Sequence, residues 1–152
     1  FCSLSGYTVV TRYRDYYETG KNDRIFNYFT TGCNRDGLAI RVARHLLEQS
    51  DCAHRLLILL SDIDGLYDSD PHRNPDARLI ETVPVIDAHI LSLAGDKGSA
   101  LATGGMVTKL HAAQIATAAG CEMVIANGEK PEVLYDIVAG RRAGTRFLIP
   151  HS

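Results

Sequence analysis

Two clusters of residues have the types and spacing that chemistry on an anion needs. The first is Thr103-Gly104-Gly105-Met106-Val107-Thr108-Lys109. Its two glycines open a stretch of strong helix formers. Lacking a Cβ, they let a phosphate approach the free N–H groups of a first helical turn, where the helix dipole also favours negative charge. Lys109 falls about one turn in and can place a point charge on a phosphoryl group. The Walker A pattern does not occur, and a loop joined to a helix with a solvated lysine fits the same residues. The second cluster is Ser61, Asp62, Asp64 and Gly65, directly after the apolar run Leu56 to Leu60. A carboxylate there can bind a nucleotide or Mg²⁺, or orient a lysine. Asp-Gly after a strand is also ordinary turn chemistry. Elsewhere, Asn34 and Asp36 fit N-caps, Asn22 and Asp23 fit a turn, and His72 and His111 read as surface residues.

The elements that must position these clusters follow from periodicity. Leu56 to Leu60 has no polar break, which predicts a strand buried on both faces of a parallel sheet. Its polar sequel then lies at a strand carboxyl end, where open α/β sheets bind ligands. Leu38 to Gln49 reads as a helix. Leu38, Val42 and Leu46 with Ala39, Ala43 and Leu47 form its apolar stripe, and Arg41, Arg44 and Glu48 lie outside it. Asp68 to Arg78 is a loop by composition, Leu79 to Ile90 a short strand and helix, and the glycine-rich Leu93 to Gly105 a mobile stretch. Met106 to Ala119 is a strong helix ended by Gly120. Glu122 to Ala126 is a strand closed by Asn127-Gly128. A helix follows, with Pro131 in its first turn and Val133, Leu134, Ile137 and Val138 as its apolar face, ended by Gly140. Thr145 to Ile149 is a last strand. Before Asn34, Tyr7 to Val10 reads as a short strand, and the tyrosine-rich polar stretch and Phe26 to Thr31 as an irregular hairpin or lid. The alternation gives an α/β fold, a three-layer sandwich around a mainly parallel sheet.

Bulk properties narrow the function classes. The chain has 152 residues, enough for one domain with a core, and is 45% hydrophobic and 22% charged. The net charge is -2 without a long basic run, which argues against a nucleic-acid surface. No apolar run suits a membrane helix, and no secretory leader is visible, so a cytoplasmic protein is expected. The four cysteines, Cys2, Cys33, Cys52 and Cys121, form no C-x-x-C pair and read as reduced structural thiols. The first residue, Phe1, is not a methionine, which suggests a fragment or a processed product.

Three stretches now join: LLILLSDIDGLYDSDPHRNPDARLI, TGGMVTKLHAAQIATAAG and VIANGEKPEVLYDIVAGRRAGTRFL. In this order they resemble the C-terminal part of the kinase domain of the glutamate 5-kinases, within the amino-acid kinase family. The GLY-x-x-DP loop, the TGGM-x-TK loop and the final GT-x-F strand form the signature, over about Leu38 to Leu148. DGLAIRVA also resembles the kinase half of the bifunctional pyrroline-carboxylate synthases.

The resemblance implies phosphorylation of the γ-carboxylate of L-glutamate by ATP with Mg²⁺, giving glutamyl 5-phosphate for proline synthesis. It implies that Ser61, Asp62 and Thr103 to Lys109 bind ATP. It makes Lys109 and Asp36 catalytic, and Asp23, Asn34 and Asp36 contacts for glutamate. Residues 1–37 would then be a substrate-side or lid segment, and 38–152 the nucleotide-binding half of a partial domain. A homo-oligomer is expected, without nucleic-acid or membrane partners.

The sequence departs from the family on the glutamate side. Arg35 stands where the family's G-D-N-D motif has asparagine, and Gly20 to Asp23 matches only half of N-E-N-D. The family's N-terminal lysine and glycine-rich loop, and the RNA-binding-like domain that many bacterial members carry, have no counterpart. Two other readings therefore stand beside the first. One is a kinase of the same fold acting on carbamate, aspartate or UMP; the other is a non-catalytic nucleotide-binding or assembly module.

Overall fold

The computed structural model describes residues 2–4, 7–9, 36–94, 105–130 and 132–150. Asp23, Asn34, Thr103 and Gly104, with the region read as a hairpin or lid and most of the stretch read as mobile, lie outside them.

The first two strands, β1 (Cys2–Leu4) and β2 (Tyr7–Val9), pair antiparallel as a small separate sheet. Helix α1 (Asp36–Glu48) follows. It begins at Asp36 itself, so its cap lies before the described residues. Val42, Ala43, Leu46 and Leu47 are half-buried while Arg41, Arg44 and Glu48 are exposed, as the helical period requires.

The main sheet contains β3 (Leu56–Ser61), β4 (Thr82–Val83), β5 (Glu122–Asn127) and β6 (Thr145–Phe147), in spatial order β3-β5-β6-β4. β3 with β5 and β4 with β6 are parallel; β5 with β6 is antiparallel. Two of the three pairings are thus parallel, and the antiparallel β6 is what the sequence left unsignalled.

Helices α2 (Ala88–Ala94) and α3 (Gly105–Ala118) cover one face of this sheet. α1 packs onto α3. Leu110, Ala112 and Ala113 of α3 are fully buried against Met123, Ile125 and Phe147, and the small alanines let the helix lie close to the strands. Helix α4 (Val133–Val138) covers the other face, where Ile137 meets Val124 and Ala126. The result is the expected three-layer α/β sandwich. The helices α3 and α4 stop at Gly120 and Gly140, as expected, each in a paired turn of the Schellman type: Cys121 N–H donates to Ala116 C=O and Arg141 N–H to Asp136 C=O, both at about 3 Å.

Two expectations are corrected. β3 is not buried on both faces. Among the described residues it pairs only with β5, and Leu56 to Leu59 are half-buried and Leu60 is 42% exposed. β5, flanked on both sides, holds the fully buried positions instead. The apolar face of α4 is also narrower than its sequence suggests. Val133 and Ile137 pack inward, while Leu134 and Val138 face outward, Val138 at 75% exposure. One turn and a half of helix cannot turn four positions toward one layer.

Candidate functional site

The register of the parallel pair builds the site. Ser61 stands opposite Asn127, so both strands end together. Their exits lie side by side, and Gly128 N–H donates to the Ser61 carbonyl at 2.8 Å. α3 runs into β5 through a short turn at Gly120 and Cys121 and packs on it. A helix that feeds a strand in this way begins at the strand's carboxyl end. The N-terminus of α3 therefore reaches the end of the sheet where Ser61, Asp62 and Asn127 sit.

Ser61 donates its hydroxyl to Asp62 Oδ1 at 2.9 Å. That hydrogen bond, with a second from the backbone N–H of Asp62, holds the Asp62 carboxyl below its ordinary value of 3.8; slight burial opposes them, and the positive charge of Lys109 adds to them. Asp62 is therefore an exposed, firmly ionised carboxylate within the field of Lys109. The side chain of Lys109 runs back along the helix, as helical side chains do, and its Nζ donates to the Gly105 carbonyl at 3.4 Å. It thus stands over the first turn of α3. A Cβ on Gly105 would meet nothing within 4 Å, so the backbone there faces open space. Thr108 donates its hydroxyl to the same Gly105 carbonyl at 2.9 Å. Met106 is buried in the core and Val107 packs against it, which leaves only their N–H groups for a ligand.

The structure thus gathers Ser61, Asp62, Gly105, Thr108 and Lys109 at one end of the sheet. Asp36 opens α1, which packs on α3. The described residues contain no group of three or more His, Cys, Asp or Glu able to hold a metal ion. A divalent cation here would arrive on phosphate oxygens, as Mg²⁺ commonly does, with Asp62 as the nearby carboxylate.

Two further residues join the site: Asn127 donates from Nδ2 to Asp64 Oδ1, and Tyr67 donates its hydroxyl to Asp64 Oδ2, both at 3.0 Å. The sequence offered Asn127 only as a turn residue and Tyr67 only within the GLY signature.

The loop beyond is held by the signature's other parts. Thr145 Oγ1 accepts the Leu66 N–H at 2.8 Å. Gly65 lies so close that a Cβ there would overlap Thr145 Oγ1, and one on Gly144 (φ +69°) would overlap the Ile125 carbonyl. Asp68 and Asp70 accept the N–H groups of Arg78 and His72, each at 2.9 Å, closing the loop on itself. His72 and His111 are exposed, as expected.

A three-layer α/β fold thus carries a helix N-terminus, a lysine and a carboxylate together at its strand ends. The sequence model of the amino acid kinase family matches residues 38–127, more than half of the chain, and the chain belongs to that family. It is similar to the glutamate 5-kinase of Clostridium acetobutylicum, 50% identical over 115 residues, covering 76% of this chain and 41% of that protein. The glutamate 5-kinase of Clostridium perfringens is 53% identical over 92 residues, covering 60% of this chain and 34% of that protein. The chain thus spans well under half the length of these relatives. The uridylate kinase of Archaeoglobus fulgidus shares the fold, with a TM-score of 0.51 at 20% identity over 76% of this chain and 47% of that one.

Proposed function

We propose that the chain is the nucleotide-binding half of a kinase that phosphorylates the γ-carboxylate of L-glutamate with ATP, forming glutamyl 5-phosphate for proline synthesis. The observation that carries this reading is the identity of about half the aligned residues with proteins named glutamate 5-kinase. The site geometry supports it. The nucleotide phosphates would lie against the N–H groups that begin α3, at Gly105, Met106, Val107 and Thr108, with Thr103 and Gly104 preceding them in the sequence. Lys109 would stand beside the transferred phosphoryl group. Ser61 and Asp62 would hold the nucleotide from the strand side.

The chemistry needs little from the protein. A glutamate carboxylate is already ionised and nucleophilic at pH 7, so no general base is required. Catalysis is then positioning and electrostatics. Lys109 would take up charge that grows on the phosphoryl oxygens, and the α3 dipole acts in the same sense. A bound Mg²⁺ would neutralise phosphate charge and bring the oxygens into line. Asp36, with Asp23 and Asn34, would orient the ammonium of glutamate or a lysine. The enzyme would act in the cytoplasm as a homo-oligomer.

The test is an assay coupled to ADP release on the intact enzyme that carries this sequence, run in parallel with glutamate, aspartate, carbamate and UMP. Turnover with glutamate alone is the expected outcome. Turnover with another acceptor, or nucleotide binding without turnover, overturns it.

A further inference from the structure

We infer that Asp64 is a positioning residue, which sets the nucleotide site by locking the exit of β3 to the exit of β5 through Asn127. The inference rests on the nucleotide reading of the site given above.

In an ordinary Asp-Gly turn the aspartate would bond to the backbone of its own turn. Asp64 bonds elsewhere. One oxygen takes the amide of Asn127, which lies 63 residues away in sequence; the other takes the hydroxyl of Tyr67. The orientation of the Asn127 amide is fixed as well. Its Oδ1 accepts the Glu129 N–H at 2.9 Å, so its Nδ2 must face Asp64. Asp64 also sits between two constrained neighbours. On one side is Asp62, held by Ser61; on the other is Gly65, packed on Thr145. The turn from Ser61 to Gly65 is thereby pinned at its centre as well as its end. Ser61 closes the β3–β5 ladder opposite Asn127, and beyond that ladder, among the described residues, this cross-tie and the Gly128–Ser61 backbone bond join the two exits. Asp64, with one oxygen taken by Asn127 and the other by Tyr67, acts through the turn. It determines where Ser61 and Asp62 stand relative to the start of α3.

An exchange of the two side chains tests this. Asn127→Asp places two carboxylates face to face across 3.0 Å and must splay the turn. Asp64→Asn combined with Asn127→Asp rebuilds every bond, with the polarity of the cross-tie alone reversed. The amide now on the β3 side donates across the gap to the carboxylate now on the β5 side, and its oxygen accepts from Tyr67. That carboxylate also accepts the Glu129 N–H, and the net charge is that of the wild type.

Affinity for a non-hydrolysable ATP analogue with Mg²⁺ is measured by calorimetry well below each melting midpoint. Asn127→Asp is expected to weaken binding about tenfold or more, and the exchanged pair to recover to within about threefold of wild type. The same pattern is expected in the KM for ATP of the intact enzyme. Thermal melts of all the proteins separate a loss of fold from a loss of positioning. If wild type binds and Asn127→Asp binds equally well, or the exchanged pair stays as weak as the single variant, the role of Asp64 is overturned. A wild-type chain that takes up no nucleotide contradicts the nucleotide reading instead, and this inference falls with it.

Discussion

At the scale of single residues, the charges of the site arise from close neighbours rather than deep burial. The hydroxyl of Ser61 is the largest cause of the lowered Asp62 pKa. Ser61→Ala should raise that pKa toward 3.8, read by carboxyl NMR titration. The sign follows from linkage. A carboxyl held lower in the folded state stabilises the fold fully above its unfolded value, near 4, and that stability is lost as pH falls through the folded value. The variant should therefore lack that contribution at neutral pH, where wild type has it in full, and converge on wild type in acid, below the folded value of Asp62. Lys109 stands at the other side of the gap. In a turnover assay Lys109→Ala should lower kcat far more than it raises the KM for ATP, because charge on the phosphoryl oxygens is greatest in the transition state. An unchanged kcat would remove Lys109 from that state. Both residues were legible in the sequence through strand-end and helix-start patterns. Asn127 was not, because its partner Asp64 lies beyond another strand and no local pattern records a cross-strand hydrogen bond.

At the scale of elements, the signature residues turn out to hold the sheet end together. Gly144 presses on the backbone of β5, and Thr145, fully buried, takes the N–H of Leu66. Gly144→Ala would need both a positive φ and room that the Ile125 carbonyl already fills, and should destabilise by roughly 2 kcal/mol or more in urea unfolding. Thr145→Val keeps the shape but orphans a buried N–H, at a cost of about 1–3 kcal/mol. Helix α4 gives a contrast that its sequence hides. Ile137→Ala should cost about 2–5 kcal/mol, whereas Val138→Lys should change stability by less than about 0.5 kcal/mol. Apolar type placed both residues on one face, but neighbours on a helix point about 100° apart, so Ile137 packs on the sheet and Val138 does not. Helix α1 was legible because its thirteen residues show a clear apolar period, and α3 because its fourteen residues are alanine-rich strong helix formers that end at a glycine. β4 and β6, with two and three residues, are too short to show a period; the sequence placed both strands but not the parallel pairing between them.

At the scale of the whole molecule, the sequence indicated the layers but not the order of strands. An unbroken apolar run reads as a central strand, yet β3 has one partner among the described residues, and β5 occupies the centre. Hydrogen exchange should accordingly protect Met123 to Ala126 more than Leu57 to Leu60. Similar protection of both strands would mean that β3 is covered on its second edge. No helix of the described residues is long and apolar enough to cross a membrane. The stretch matched by the amino acid kinase family, residues 38–127, runs from within α1 to the end of β5.

The central claim is that this end of the sheet is a nucleotide-phosphate site built around the first turn of α3. Calorimetric titration of the chain with a non-hydrolysable ATP analogue and Mg²⁺, wild type beside Lys109→Ala, tests it most directly. Saturable binding at one site, weakened about tenfold or more in the variant, is the predicted result. The absence of binding, or equal affinity in the two proteins, would contradict it.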